Sequence, residues 1–294
     1  MLLKELEYVR PGSVEEAVTL LSTIPDAGIL AGGQSLLNVL KMRIGSYTTL
    51  IDISRLEELQ TLTESDKDLH IGAGVTYRAI LRSMELLIHR PILAHVAGRI
   101  ADQQVRNRGT IGGNCCYNDP TCHFPPLLVA LGAEMEILGP RGARAVPADQ
   151  FFLSYYQTAL TAGEMLVSIR IPKRQERTGD SFSPLSVGGT DVLNVITSTC
   201  TVTLTGANRV ESLSLVVAGA GERPLRLSII ETTLNGNHGT AQEIRNAVDQ
   251  LDLASLEPPG DVHASAEYRR AMVPVMARRA IESALKDARR GSHD

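Results

Sequence analysis

Two stretches of this chain carry residue types suited to chemistry: Ala31-Gly32-Gly33-Gln34-Ser35 and, about eighty residues on, Thr110-Ile111-Gly112-Gly113-Asn114. A diphosphate needs N–H donors at close range, and residues without a Cβ let the main chain approach it and take positive φ freely. The hydroxyls of Ser35 and Thr110 add donors, and Arg106 and Arg108, just ahead of the second stretch, could neutralise phosphate charge. Either pair alone is more often an ordinary tight turn. Neither fits G-x-G-x-x-G or G-x-x-x-x-G-K-[ST], so a Rossmann or P-loop reading has no support. Together they suggest one dinucleotide held by two loops.

The flanking pattern supplies elements to position both stretches. Gly28 to Ala31 reads as a short buried strand entering the first pair, and Leu36, Leu37, Leu40 and Met42 predict a helical turn whose N-terminus faces the loop. Pro91 to Ile100 predicts an apolar helix, after which the polar run Ala101 to Gly109 must cross the surface or a cofactor cleft. Upstream, Ser13-Val14-Glu15-Glu16 is a capping box opening a helix, and Thr49 to Ile53 is a second strand, so that residues 1–55 form a small α/β unit. Leu69 to Gly74 predicts a strand, Thr76 caps a helix through Met84, Leu127 to Leu131 is helical, and Ala133 to Leu138 and Met165 to Pro172 are strands, giving a second unit over 56–173.

Lys173 to Gly189 is rich in Lys, Arg, Ser, Pro and Gly and predicts a boundary, with a third unit over 178–290. There Val195 to Leu204 and Leu213 to Ala218 are alternating, β-branched strands, expected to pair antiparallel. Helices are predicted over Ala241 to Leu251 and Ser265 to Arg290, with Gly236 stopping a shorter one. The last carries Arg269, Arg270, Arg278 and Arg279 among Met and Val residues, a solvated face on apolar neighbours or a partner-docking surface.

The 294 residues are 43% hydrophobic, with mean hydropathy near zero, which suits a globular protein of two or three domains and excludes disordered and fibrous classes. A net charge of −4, no Trp and 4% aromatic residues argue against a nucleic-acid partner. No apolar run approaches a membrane span, and Lys4 and Glu5 fall too early for a secretory signal, so a cytoplasmic location is expected. The cysteines, at 115, 116, 122 and 200, contain no C-x-x-C pair. Adjacent cysteines rarely share one metal, so buried packing beside the second glycine stretch is the expectation for the cluster, with no metal ligand assigned. His70, His89, His95 and His238 stand in ordinary element contexts, and no catalytic residue is assigned.

Taken in order, the glycine stretches with Leu50-Ile51-Asp52-Ile53, Ile71-Gly72-Ala73, Ile100-Ala101-Asp102, Val105-Arg106-Asn107-Arg108-Gly109, Asn118-Asp119-Pro120, Ile169-Arg170-Ile171-Pro172 and Ser265-Ala266-Glu267-Tyr268-Arg269-Arg270 resemble the flavoprotein subunits of the xanthine oxidase-type molybdenum hydroxylases. The pattern is nearest to the medium subunit of aerobic carbon monoxide dehydrogenase, and it spans almost the whole chain. The resemblance implies an α+β fold: a two-part FAD-binding α/β domain of the PCMH type, followed by an antiparallel sheet with helices. It implies an FAD site lined by Leu30, Ala31, Gly32, Gly33, Gln34, Ser35, Leu36, Ile100, Thr110, Ile111, Gly112, Gly113, Asn114, Asp119, His123, Leu166 and Ser183.

It further implies a place in the middle of an electron chain, between a small subunit with [2Fe-2S] clusters and an external electron acceptor. A large subunit carries the molybdopterin cofactor, and the assembly is a dimer of heterotrimers. Three positions depart from the family: His123 where an acid is usual, Ser183 where a lysine is expected, and Val192 after Asp191 where a tyrosine can lie beside the flavin. Cys115-Cys116-Tyr117 replaces a small, apolar or His-containing stretch. A stand-alone FAD-dependent oxidoreductase of the same fold is the alternative.

Overall fold

The computed structural model describes residues 3–187 and 194–290, and Asp191 and Val192 lie outside them. The first stretch of chain runs β1 (Glu7–Val9), α1 (Val14–Thr23), β2 (Ala27–Leu30), α2 (Leu36–Lys41) and β3 (Thr49–Asp52). Its three strands pair parallel in the order β1-β3-β2, and every residue of the central β3 is buried. Val14, Ala17 and Val18 of α1 bury their faces on Ile51 and Ile53. The predicted capping box is half formed: Ser13 accepts from the Glu16 N–H at 3.1 Å, while the Glu16 carboxylate takes the Gly12 N–H at 2.6 Å.

The second stretch contains β4 (Leu62–Glu64), β5 (Asp68–Gly72), α3 (Tyr77–Arg82), α4 (Met84–His89), α5 (Ile92–Gly98), α6 (Gln103–Arg108), α7 (Ile111–Tyr117), α8 (Phe124–Ala130), β6 (Glu134–Gly139), β7 (Gly142–Pro147), α9 (Ala148–Phe151), β8 (Phe152–Ser154), β9 (Gln157–Thr158) and β10 (Met165–Pro172). Five strands form the antiparallel sheet β4-β5-β10-β6-β7. On β6, Met135 and Ile137 point into the core while Glu134 and Glu136 alternate outward toward Arg170 and Ser168.

Three expectations are corrected here. The helix predicted from Thr76 through Met84 is two helices, because Ser83 ends α3 and its hydroxyl accepts the Leu86 N–H at 3.2 Å to start α4. The polar run 101–109 is not a plain crossing but α6, capped by the Asp102 carboxylate on the Val105 N–H at 2.8 Å. The second glycine stretch is not a loop: it is the first turns of α7, with Thr110 as N-cap.

The last stretch holds β11 (Thr178–Ser186), β12 (Asn194–Leu204), β13 (Val210–Ala218), β14 (Leu225–Arg226), α10 (Ser228–Leu234), α11 (Ala241–Val248) and α12 (Ala266–Arg290). Most of the polar stretch read as a separator is therefore strand β11. The sheet β11-β12-β13-β14 is antiparallel, with α12 on β11 and β12 on one face and α8 on β12 and β13 on the other. Being covered on both sides, β12 buries nine of the 11 residues in its range. Its Thr199 donates to the Pro126 carbonyl of α8 at 2.9 Å. No helix among the described residues is long and apolar enough to cross a membrane.

Candidate FAD site

The first glycine stretch leaves the parallel sheet at the carboxyl end of β2, the edge at which open parallel sheets receive ligands. Gly33 has φ +71°, a conformation that residues with a Cβ rarely take. A Cβ on Gly32 would lie 2.0 Å from the Arg108 carbonyl oxygen and 3.0 Å from the Gly109 Cα, so the first stretch packs directly on the entry to the second. The N–H groups of Gly32, Gly33, Gln34, Ser35 and Leu36 have no acceptor among the described residues, whereas the Gly32 carbonyl accepts from Gln34 Nε2 at 3.1 Å. Residues 30–37 are half-buried, apolar Leu30, Ala31, Leu36 and Leu37 included. The stretch is thus a strip of unused donors with apolar shoulders.

The second stretch is built differently. The N–H groups of its last four residues are spent inside the protein: Ile111 on the Val75 carbonyl and Gly112 on the Ala73 carbonyl, both at 3.0 Å, Gly113 on Thr110 Oγ1 and Asn114 on the Thr110 carbonyl, also at 3.0 Å. It therefore offers no second bank of free donors. The side chain of Asn114 donates through Nδ2 to Cys122 Sγ at 3.2 Å, and its Oδ1 is enclosed without a hydrogen-bond partner. Ahead of it, Arg106 is used locally, donating to the Ile100 and Ala101 carbonyls at 2.9 and 2.7 Å and pinning Ala101 at φ +41°. The Arg108 side chain is exposed beside the first stretch.

The remaining predicted positions follow one another by contact. Asp119 lies in the turn from α7 to α8, where Oδ1 accepts from the Thr121 N–H and hydroxyl and Oδ2 from the Tyr156 hydroxyl at 2.8 Å. Burial and that hydrogen bond to a carboxylate push the Tyr156 phenol up. His123 is buried at the start of α8, its ring stacked on Phe182 with centroids 5.3 Å apart, and its Nδ1 is 3.5 Å from Asn194 Nδ2. Ser183, half-buried, is the next residue of β11. Leu166 is buried on β10, next to a bulge opposite β6. Contacts thus link Gly32 to Arg108, Asn114 to Cys122 and His123 to Phe182, while Ile100 and Leu166 are buried.

Sequence reasoning missed a charged group on the same sheet edge. Asp52, at the carboxyl end of β3, accepts from the Tyr8 hydroxyl and the Ser54 N–H, with Arg10 at 3.5 Å. Burial pushes its carboxyl up, but the hydrogen bonds from Tyr8 and Ser54 outweigh this and hold it below the usual range. Only the long-range pairing of β1 with β3 brings these residues together. Of the three clustered cysteines, Cys115 is fully buried and Cys116 and Cys122 are half-buried; desolvation pushes the Cys116 and Cys122 thiols up to about 12, so neither carries thiolate at neutral pH.

Residues 4–174 match the family model of the FAD binding domain in molybdopterin dehydrogenase, and residues 190–284 that of the CO dehydrogenase flavoprotein C-terminal domain. The chain belongs to the family of FAD-binding medium subunits of molybdenum hydroxylases. It is 36% identical over 286 residues to the carbon monoxide dehydrogenase medium chain of Hydrogenophaga pseudoflava, covering 97% of this chain and 98% of that one. It is 34% identical over 284 residues to the nicotine 6-hydroxylase medium subunit of Paenarthrobacter nicotinovorans, covering 97% and 99%. Among solved structures, the Hydrogenophaga pseudoflava carbon monoxide dehydrogenase superposes with a TM-score of 0.93 at 35% identity, covering 98% of this chain and 99% of that chain.

The residues present fit the dinucleotide that this family binds. Five consecutive unpartnered N–H groups suit a diphosphate, and the enclosed Asn114 Oδ1 is an acceptor awaiting a donor.

Proposed function

We propose that the 32–36 strip binds the diphosphate of FAD, that residues 110–114 and 119–123 face the rest of the cofactor, and that this chain passes electrons from the [2Fe-2S] clusters of a small subunit to an external acceptor. A large subunit holds the molybdopterin cofactor, and the whole is a cytoplasmic dimer of heterotrimers. The observation that carries this reading is the strip of free N–H groups at a strand's carboxyl end, closed on one side by the Gly32–Arg108 contact.

When bound, FAD supplies carriage of one or two electrons. The chain's own residues bind and orient. Backbone N–H groups of 32–36 hold diphosphate oxygens, Arg108 adds a positive charge nearby, and apolar Leu30, Ala31 and Leu36 keep water from the strip. Leu166 and Ile100 add buried apolar surface. No side chain need act as acid or base, since the cofactor does the chemistry and the protein positions and tunes it.

The test is an anaerobic mixing experiment with the FAD-loaded chain and its iron–sulfur partner reduced beforehand. The expected result is loss of oxidised-flavin absorbance at one partner per chain. Unchanged flavin absorbance in a complex that demonstrably forms would overturn the electron-transfer role.

A further inference from the structure

A cavity of about 490 Å³ lies between α5, the start of β11 and the last turns of α12, and it shares no residue with either glycine stretch. Its size falls in the range of small-molecule sites. Pro91, Ile92 and Phe182 give it an apolar wall. Ser283, Lys286, Asp287 and Arg290, spaced three and four apart, put one face of α12 along the opposite side.

The charges around it do not cancel. Asp180 is engaged by Arg90 at 3.0 Å and by the Thr201 hydroxyl at 2.9 Å, and Asp287 is engaged by Arg174 at 3.0 Å and by the Asp180 N–H at 3.1 Å. Both carboxylates on the lining are thus committed to cations or donors. Lys286 and Arg290 are exposed at the mouth and make no hydrogen bond or ion pair among the described residues. Complementing the helix dipole does not by itself call for both, because Arg289 already serves this end of α12 while donating to the His238 carbonyl at 2.8 Å.

We propose that this cavity is a binding site for a small organic anion, whose carboxylate or phosphate is held by Lys286 and Arg290 while its apolar body lies on Ile92 and Phe182. Because Phe182 also stacks on His123, an occupant would touch a residue that packs directly against the candidate FAD surface. The cavity shares only Phe182 with the candidate FAD surface, and the anion-holding Lys286 and Arg290 lie outside it, so the proposal does not depend on the FAD reading.

The test is calorimetric titration of the purified full chain with benzoate and, separately, with inorganic pyrophosphate, which distinguishes a carboxylate from a phosphate ligand. The variants are K286Q/R290Q and, as a control on the same helix, R278Q. The expected result is one site per chain for at least one anion, weakened tenfold or more in the double variant and unchanged in R278Q. Absence of one-per-chain binding for both anions, or equal binding by the double variant, would overturn the proposal.

Discussion

Replacing Gly32 by alanine tests the contact that joins the two glycine stretches. The added methyl would stand 2.0 Å from the Arg108 carbonyl oxygen and 2.7 Å from its carbon, where ordinary contact begins at 3.4 Å. The backbone of one stretch must therefore retreat by about 1.4 Å, the difference between those two distances to the oxygen. Both neighbours are main chain, so no side chain can turn aside to make room. Overpacking of this kind costs about 1–3 kcal/mol of stability. The displacement also moves the 32–36 donors relative to residues 110–114. Loss of a single hydrogen bond to a charged phosphate costs about 1.5–3 kcal/mol, or roughly 10- to 100-fold in affinity. The assay is FAD titration of the apo-chain by flavin fluorescence, with thermal unfolding measured alongside. Gly206→Ala, where a Cβ meets nothing within 4 Å, is the control. Wild-type FAD affinity and midpoint in Gly32→Ala would refute the reasoning.

Other outcomes follow from the buried charges and thiols. Arg90→Ala leaves the Asp180 carboxylate buried without its partner and is expected to cost about 3–5 kcal/mol in a denaturant titration, and the double Leu substitution at 90 and 180 should cost clearly less. Arg144 and the Thr161 N–H hold the Glu164 carboxyl down at about 2, against an ordinary 4.5. Its stabilising contribution is complete above pH 4.5 and lost as pH falls from there to 2, so Glu164→Gln should flatten the stability profile in that window. With burial pushing the Cys115 thiol up and those of Cys116 and Cys122 up to about 12, alkylation at pH 8 should spare all three in the folded chain and label them after unfolding.

Much of the fold is legible where a local pattern decides it. The run Met165 to Pro172 is a strand over the predicted residues, and Thr76 caps a helix as expected. Errors cluster where side chains override the pattern. Ser83 splits one apolar helical repeat into two helices, and Asp102 turns a polar run into a third. A helix beginning Ile111-Gly112-Gly113 defies propensity, since each glycine costs about 1 kcal/mol against alanine. The Thr110 cap and the hydrogen bonds of Ile111 and Gly112 to the backbone of Val75 and Ala73 hold it, and neither partner is visible from sequence spacing. Likewise β11 reads as a polar separator because Asp180 and Ser181 are buried with partners at Arg90, just after α4, and on α12, not in water.

For the candidate site, residue types were enough to single out both glycine stretches, but not their division of labour. Only the hydrogen bonds distinguish a strip with free donors from a helix start whose donors are spent. The Tyr8–Asp52–Arg10 group needs strand pairing over more than forty residues and leaves no local signal.

The most direct measurement is the visible absorption spectrum of the purified chain before and after denaturation, with the released cofactor identified by mass and metals by elemental analysis. The expected result is FAD near one per chain, without iron or molybdenum. No flavin, even after incubation with excess FAD, would contradict it.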